Sequence, residues 1–339
     1  MMRVKIEDVC MKGSSNLKQS DVVGKNGIYP VYGAAGYLGS IDSFKQSKPY
    51  VAVVKDGAGI GRAMLLPSNS SIIGTMQYLL PKDNILPEYL YYLIKAKHLE
   101  KYYSGATIPH IYFKDYKNEE FDLFSFEIQY QIINKLKIIE KIIEKQKKEM
   151  DLLDELVKAR FVELFGDPRS NPFGFEKKML KDTCKVITGN TPSRAIAEYY
   201  GDYIEWIKTD NIVSGILNPT QATESLSEKG MNVGRTVEKD SILMACIAGS
   251  IASIGRVCIT DRIVAFNQQI SAVVPEQYNI LFLYVLLQMS KDYLVEDINM
   301  ALKGILSKSK LEEKEFIIPP MDLQEQFSDF VKQVNKSKV

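Results

Sequence analysis

Few of the side chains that usually carry chemistry stand close together in this chain of 339 residues. It holds two histidines, His98 and His110, and four cysteines, Cys10, Cys184, Cys246 and Cys258, with no Cys-x-x-Cys spacing. A structural zinc site needs four such ligands in tight spacing, so no metal site is expected. The cysteines read as reduced, buried thiols. Gly57-Ala-Gly-Ile-Gly61 looks like a nucleotide fingerprint but lacks its spacing and the helix that should follow, so a tight connection between strands is expected. No Gly-x4-Gly-Lys-Ser/Thr loop is present, which excludes a nucleotide-driven motor in this chain. Asn171-Pro-Phe-Gly-Phe175 has one proline where a loop that grips a base amino group for methylation carries two, and no glycine-rich turn for a methionine-derived cofactor accompanies it. With so few acid–base groups, neither catalysis nor a cofactor is expected.

The chain does hold polar clusters suited to binding. Thr188-Gly-Asn-Thr-Pro-Ser-Arg194 offers Thr188, Asn190, Thr191, Ser193 and Arg194, and Asn267, Gln268 and Gln269 set three amides beside a strand. Arginine and lysine pair with guanine edges, asparagine and glutamine with adenine edges, while phosphate contacts position the protein on duplex DNA. A turn accounts equally well for the first cluster, and solvation of a strand edge for the second. Arg62 and Arg256 both follow Ile-Gly; they would contact phosphate or brace their turn by pairing with a carboxylate. His110, Tyr112, Lys114 and Lys303 lie in matching stretches, Thr107 to Lys114 and Leu302 to Ile305, and are candidates for groove or backbone contacts. Trp206 reads as a packing residue. The net charge of +1 counts against a nucleic-acid partner unless the basic residues gather on one face.

These residues need elements to position them. Hydrophobic content of 45% and charged content of 25% are those of a globular protein, and the length allows two domains. No apolar run approaches the ~20 residues of a membrane span, and the first residues have no apolar leader core, so a cytoplasmic location is expected. The chain repeats itself. Val4 to Cys10 resembles Met179 to Cys184, Ile60-Gly-Arg62 resembles Ile254-Gly-Arg256, Pro87 to Leu93 resembles Ile280 to Leu286, and Phe121 to Gln131 resembles Phe316 to Gln326. The later offsets stay near 194, and about twenty extra residues fall between Cys184 and Arg256. Each copy reads as mixed α and β. Strands are expected at Ile28–Tyr32, Tyr50–Val54, Ile72–Leu80, Tyr203–Ile207, Ile242–Ile247, Arg256–Ile259 and Ile270–Val274, and helices at Pro87–Ala96 and Leu281–Ser290.

Between the copies, Glu127 to about Phe165 has no glycine or proline. Ile132, Leu136, Ile139, Ile143, Gln146, Met150, Leu153 and Val157 step by four and three, which is a heptad seam flanked by charges. A helix of about 36 residues would span ~54 Å. The plainer reading is an amphipathic helix lying on one domain.

Here the residues resemble a family. Ile318-Pro-Pro-Met-Asp-Leu-Gln-Glu-Gln326, Ile187 to Arg194 with Tyr200 to Trp206, Ser253-Ile-Gly-Arg-Val257, Asn267-Gln268 and Gly27-Ile-Tyr-Pro-Val-Tyr-Gly33 look like the Type I restriction-modification specificity subunits. That resemblance implies an α+β chain of two similar target-recognition domains, residues 1–126 and 166–320, around a coiled-coil helix, 127–165, with a short C-terminal helix, 321–339. It implies duplex DNA, methyltransferase subunits and restriction subunits as partners, and a bipartite, asymmetric target. In the family a second long helix packs antiparallel on the central one; here the final segment is short, so self-association through an unpaired seam is a further expectation. Two alternatives stay open: an incomplete or silent cassette that needs a partner half-subunit, and the specificity part of a fused restriction-methylation enzyme. An unrelated α/β scaffold whose coil binds only protein would show no sequence preference on DNA.

Overall fold

The computed structural model describes residues 2–105, 109–296, 298 and 304–338. The chain divides into two compact units, Met1–Lys145 and Gln146–Val339.

The first unit runs β1 (Met2–Lys5), α1 (Ile6–Val9), β2 (Cys10–Ser14), β3 (Tyr29–Gly33), β4 (Gly36–Ile41), β5 (Tyr50–Val54), β6 (Ala63–Leu66), β7 (Ser71–Ile72), β8 (Met76–Pro81), α2 (Pro87–Ala96), α3 (Phe113–Tyr116) and β9 (Glu120–Leu123). Its main sheet is antiparallel, in the order β2-β8-β5-β6. All five residues of β5 are buried, which explains the unbroken apolar run Tyr50–Val54: both faces of a central strand are covered. Val51, Val53 and Leu79 pack with Leu90 and Ile94 of α2, and Tyr50, Ala52 and Tyr78 pack on the other face. The stretch expected as one strand from Ile72 to Leu80 is two, because β7 pairs in parallel with β3 before the chain turns at 73–75 into β8.

From Phe126 the chain forms α4 (Phe126–Phe165), an uninterrupted helix of 40 residues. In the first unit, Ile133 joins the core and the side chain of Gln129 is fully buried. Gln129 accepts a hydrogen bond from the Leu86 N–H at the start of α2 and donates to the Phe124 and Asn84 carbonyls.

The second unit continues with β10 (Glu176–Met179), β11 (Cys184–Thr188), β12 (Tyr200–Gly201), β13 (Ile204–Ile207), β14 (Ser225–Leu226), α5 (Glu228–Val233), β15 (Thr236–Val237), β16 (Ile242–Ala245), β17 (Val257–Ile259), β18 (Val264–Phe266), β19 (Ile270–Pro275), α6 (Ile280–Met289), α7 (Lys291–Val295), α8 (Lys308–Glu313), β20 (Glu315–Ile318) and α9 (Met321–Lys336). Its main sheet, β11-β19-β16-β17, has the order of the first unit's sheet, and β10 pairs with β20 as β1 pairs with β9. Gln324 repeats the role of Gln129, accepting from Asn279 N–H ahead of α6 and donating to the Pro319 carbonyl.

Hydrogen-bond register fixes the internal duplication residue by residue. Cys10 faces Pro81 as Cys184 faces Pro275. Val54 N–H donates to the Arg62 carbonyl and Gly61 N–H to the Val54 carbonyl; Ala245 with Arg256, and Gly255 with Ala245, repeat both bonds. Gly61 and Gly255 have φ of 80° and 76°, the left-handed conformation that favours glycine, so Ile-Gly-Arg recurs because both hairpins close through it. Tyr32 pairs with Ile72 as Ile207 pairs with Phe266, an offset of 175 at the first partners, whereas Val51 and Ile242 lie 191 apart. Most of the extra residues therefore lie between Ile207 and Ile242, where they add α5 and β15, while β14 pairs with β13 as β4 pairs with β3.

In the second unit the end of α4 packs on α9. Phe161 and Phe165 pack on Phe282 and Phe327, mostly edge to face, at centroid distances of 4.8–5.7 Å, Arg160 lies over Phe330, and Lys338 pairs with Asp154, so the two helices run antiparallel. The residues of the expected seam differ in burial. Val157 is buried, Leu153, Ile132 and Leu136 are half-buried, but Ile139, Ile143, Gln146 and Met150 are exposed. Phe161 and Phe165, outside the heptad register assigned from sequence, are fully buried.

Candidate nucleic-acid interface

The antiparallel register brings the polar clusters of the second unit to one end of its sheet. Thr188 ends β11 opposite Ser271, and Ile270 opens β19 opposite Ala245, where β16 ends. The loop after β11, the 246–256 turn and the 267–269 segment therefore share an edge. Gly189 lies against the backbone of Asn267, where a Cβ would stand 2.1 Å from the carbonyl oxygen, and Thr191 Oγ1 hydrogen-bonds Gln268 Oε1. The two clusters read separately from sequence form one surface.

Within it the residues divide by role. Asn267 is buried and structural: its Oδ1 accepts from the Gln269 N–H and its Nδ2 donates to Gln269 Oε1. Thr188, Thr191, Ser193, Arg194 and Gln268 are exposed. Asn190 Nδ2 donates to the Val233 carbonyl, and its Oδ1 is buried without a hydrogen-bond partner among the described residues. Arg194 lies over the rings of Tyr200 and Trp206, 4.3 and 5.1 Å from their centroids, and its Nη2 is 2.6 Å from Glu224. Lys208 also pairs with Glu224 and lies over Trp206. These two cations hold the Glu224 carboxyl below its ordinary range, Lys208 first. Trp206 is buried, as expected, yet its face is the platform for both cations.

Both arginines of the Ile-Gly-Arg turns bond to nearby backbone carbonyls. Arg256 Nε donates to the Ser253 carbonyl, and Arg62 Nη1 donates to the Ala34 carbonyl while its guanidinium crosses Gly59. The partners are backbone carbonyls, not carboxylates. Gly57, Gly59 and Gly61 all have positive φ, so that segment is a strand-connecting turn.

In the first unit, Asp56 and His110 face each other as Ile247 and Ile305 do in the second. His110 Nδ1 lies 2.7 Å from Asp56 Oδ1, its ring stacks on Tyr112, and Lys114 lies over Tyr112 at 5.3 Å. Tyr112 and Lys114 line a shallow groove of about 550 Å³ with Lys101, Tyr103 and Ser104. Tyr103 is 63% exposed and was invisible to sequence reasoning, because only the fold brings the short helical turn at 99–102 beside α3. Glu119 anchors that turn through Lys101, Tyr102 and Lys97, and these contacts hold its carboxyl down at about 2. Lys303 and Thr107 lie outside the described residues. All four cysteines are buried thiols, with pKa pushed up by burial to about 12 for Cys10, Cys184 and Cys258 and about 11 for Cys246. Among the described residues no group of histidine, cysteine, aspartate and glutamate is placed to hold a metal ion, and no helix is long and apolar enough to cross a membrane.

A family profile described as Type I restriction modification DNA specificity domain matches residues 1–150 and 172–339. The Type I restriction enzyme MjaIX specificity subunit of Methanocaldococcus jannaschii is 28% identical over 282 residues, 75% of this chain and 63% of that protein. The HindI specificity subunit of Haemophilus influenzae is 34% identical over 120 residues, 34% of this chain and 25% of that protein. The chain thus spans less than two thirds of the length of either relative. Among solved structures, the S subunit of a Type I restriction-modification system from M. genitalium has the same fold, with a TM-score of 0.60 at 16% identity, covering 99% of this chain and 90% of that one. A chain from a structure of type I system assembly and conformational transition gives 0.53 at 13% identity, with the same coverage.

Proposed function

The chain belongs to the Type I restriction-modification DNA specificity domain family, and from that premise we propose that it is the sequence-reading, non-catalytic subunit of a Type I restriction-modification complex. Each unit would read one half of a bipartite duplex target. The observation that carries this is the doubled sheet end: one strand order and one hairpin closure, built twice, present different side chains in each unit. A frame that is constant while its exposed residues differ suits two unlike half-sites. In the second unit Arg194, Thr191, Gln268 and Thr188 would supply the donors and acceptors that base edges require, and in the first His110, Tyr112 and Lys114 would supply groove or backbone contacts.

The exposed apolar stripe of α4, Ile138, Ile139, Ile142 and Ile143, supports docking of methyltransferase subunits, with restriction subunits completing the assembly. The same stripe would serve self-association where such partners are lacking.

Selection from a randomised duplex library, with the methyltransferase partner present, tests the proposal. Two short, unlike blocks of preferred bases separated by a fixed unread interval are expected. A library recovered without sequence preference would overturn it, and so would one repeated block.

A further inference from the structure

The register that equates the two units also assigns a loop that no sequence cluster marked. Ser14 faces Gln77 as Thr188 faces Ser271, so the polar loop 188–194 has its counterpart at 14–20. The segment before β8 answers in the same way: the Thr75 carbonyl accepts from Lys55 and Asp56 N–H, as the Gln269 carbonyl accepts from Cys246 and Ile247. Gly74 therefore stands where Gln268 stands, and Leu17 where Thr191 stands. These two positions touch in both units, by the Gly74 N–H on the Leu17 carbonyl at 2.8 Å in the first and by the Thr191–Gln268 side chains in the second. Asn16 falls on the position of Asn190.

We propose that Asn16 and Lys18, with Thr75 beside them, are the base-reading side chains of the first unit. This rests on the proposed function and names the residues that would perform it there. The loop's fold is secured without them: Leu17 N–H donates to Ser15 Oγ, Lys18 N–H to Asp21 Oδ2, and Gly74 locks against the backbone. Ser14, Asn16, Lys18, Gln19 and Thr75 are all exposed, and the Asn16 amide has no hydrogen-bond partner among the described residues. The chemistry is what base edges demand, an amide for adenine and a cation for guanine. The loop is tied to His110, whose ring stacks on Tyr112, through Asp56, which bonds Thr75 by its N–H and His110 by its carboxylate.

The test is selection from a randomised duplex library by the full chain with its methyltransferase partner, unsubstituted and as N16A/K18A. Preference at one or two positions of one block is expected to fall by about ten- to a hundredfold, the value of a good base contact. The other block should be unchanged, which also shows that the variant is folded. Retention of both blocks would overturn the inference, as would an equal loss of affinity for every sequence, the mark of phosphate contact alone. An unsubstituted chain with no preference would instead overturn the proposed function, and this inference with it.

Discussion

Two carboxylates govern the cations at the candidate interface. Glu224 holds Arg194 and Lys208 against Trp206 and neutralises charge that DNA phosphates would otherwise draw. E224Q should bind duplex DNA more tightly at low salt and lose affinity more steeply as salt rises, since each freed cation adds about 0.9 to the logarithmic slope. Titrations at several salt concentrations measure this; an unchanged slope would mean the pair stays closed on DNA. Glu119 does the same at the first unit's groove. Its carboxyl titrates at about 2 in the folded chain against an ordinary 4.5, so its contribution to stability is complete above about 4.5 and fades as pH falls toward 2. E119Q should therefore melt below the native protein at pH 6, with the gap closing through that window in thermal melts.

At the scale of elements, one helix terminus and one hairpin are each built twice. The first glutamine of each Gln-x-Gln segment, Gln129 or Gln324, is buried and ties the start of one helix to the N-terminus of another. A buried amide with its bonds made organises the core; the same amide without them would cost about 1–3 kcal/mol. The two hairpin glycines differ in surroundings. A Cβ on Gly61 would stand 2.5 Å from the Glu100 backbone nitrogen, whereas one on Gly255 meets nothing closer than 3.6 Å. G255A should lose about 1 kcal/mol from left-handed strain alone, and G61A clearly more. Urea denaturation separates them, and equal losses would show that the 99–100 segment yields without cost.

The molecule is a doubled fold with separate cores, Leu90 in one and Phe282 in the other. L90A and F282A should each cost roughly 2–5 kcal/mol by leaving cavities. Their effects should add within about 0.5 kcal/mol, because the two side chains belong to different hydrophobic clusters. A large departure in the double variant would mean that α4 couples the two cores. The net charge of +1 describes the whole chain and not the proposed interface, where Arg194 lies over Tyr200 and Trp206 in one unit and Lys114 over Tyr112 in the other.

Much of this was legible in the residue order. The repeat, the strand Tyr50–Val54, the helix at Pro87–Ala96 and the long helix between the copies follow from local rules: period, apolar runs, proline and glycine at permitted places. Ile-Gly-Arg recurred visibly, but its cause, a left-handed closing glycine, needed the hydrogen bonds. Sequence could not decide which polar residues meet, since Thr191 and Gln268 lie far apart in the chain and adjoin only through the β11–β19 ladder. Nor could it separate seam from core on α4, where Ile139 and Phe161 are alike apolar and only the packing of α6 and α9 buries the second. Side-chain period is a property of the chain; which face is covered depends on what packs against it.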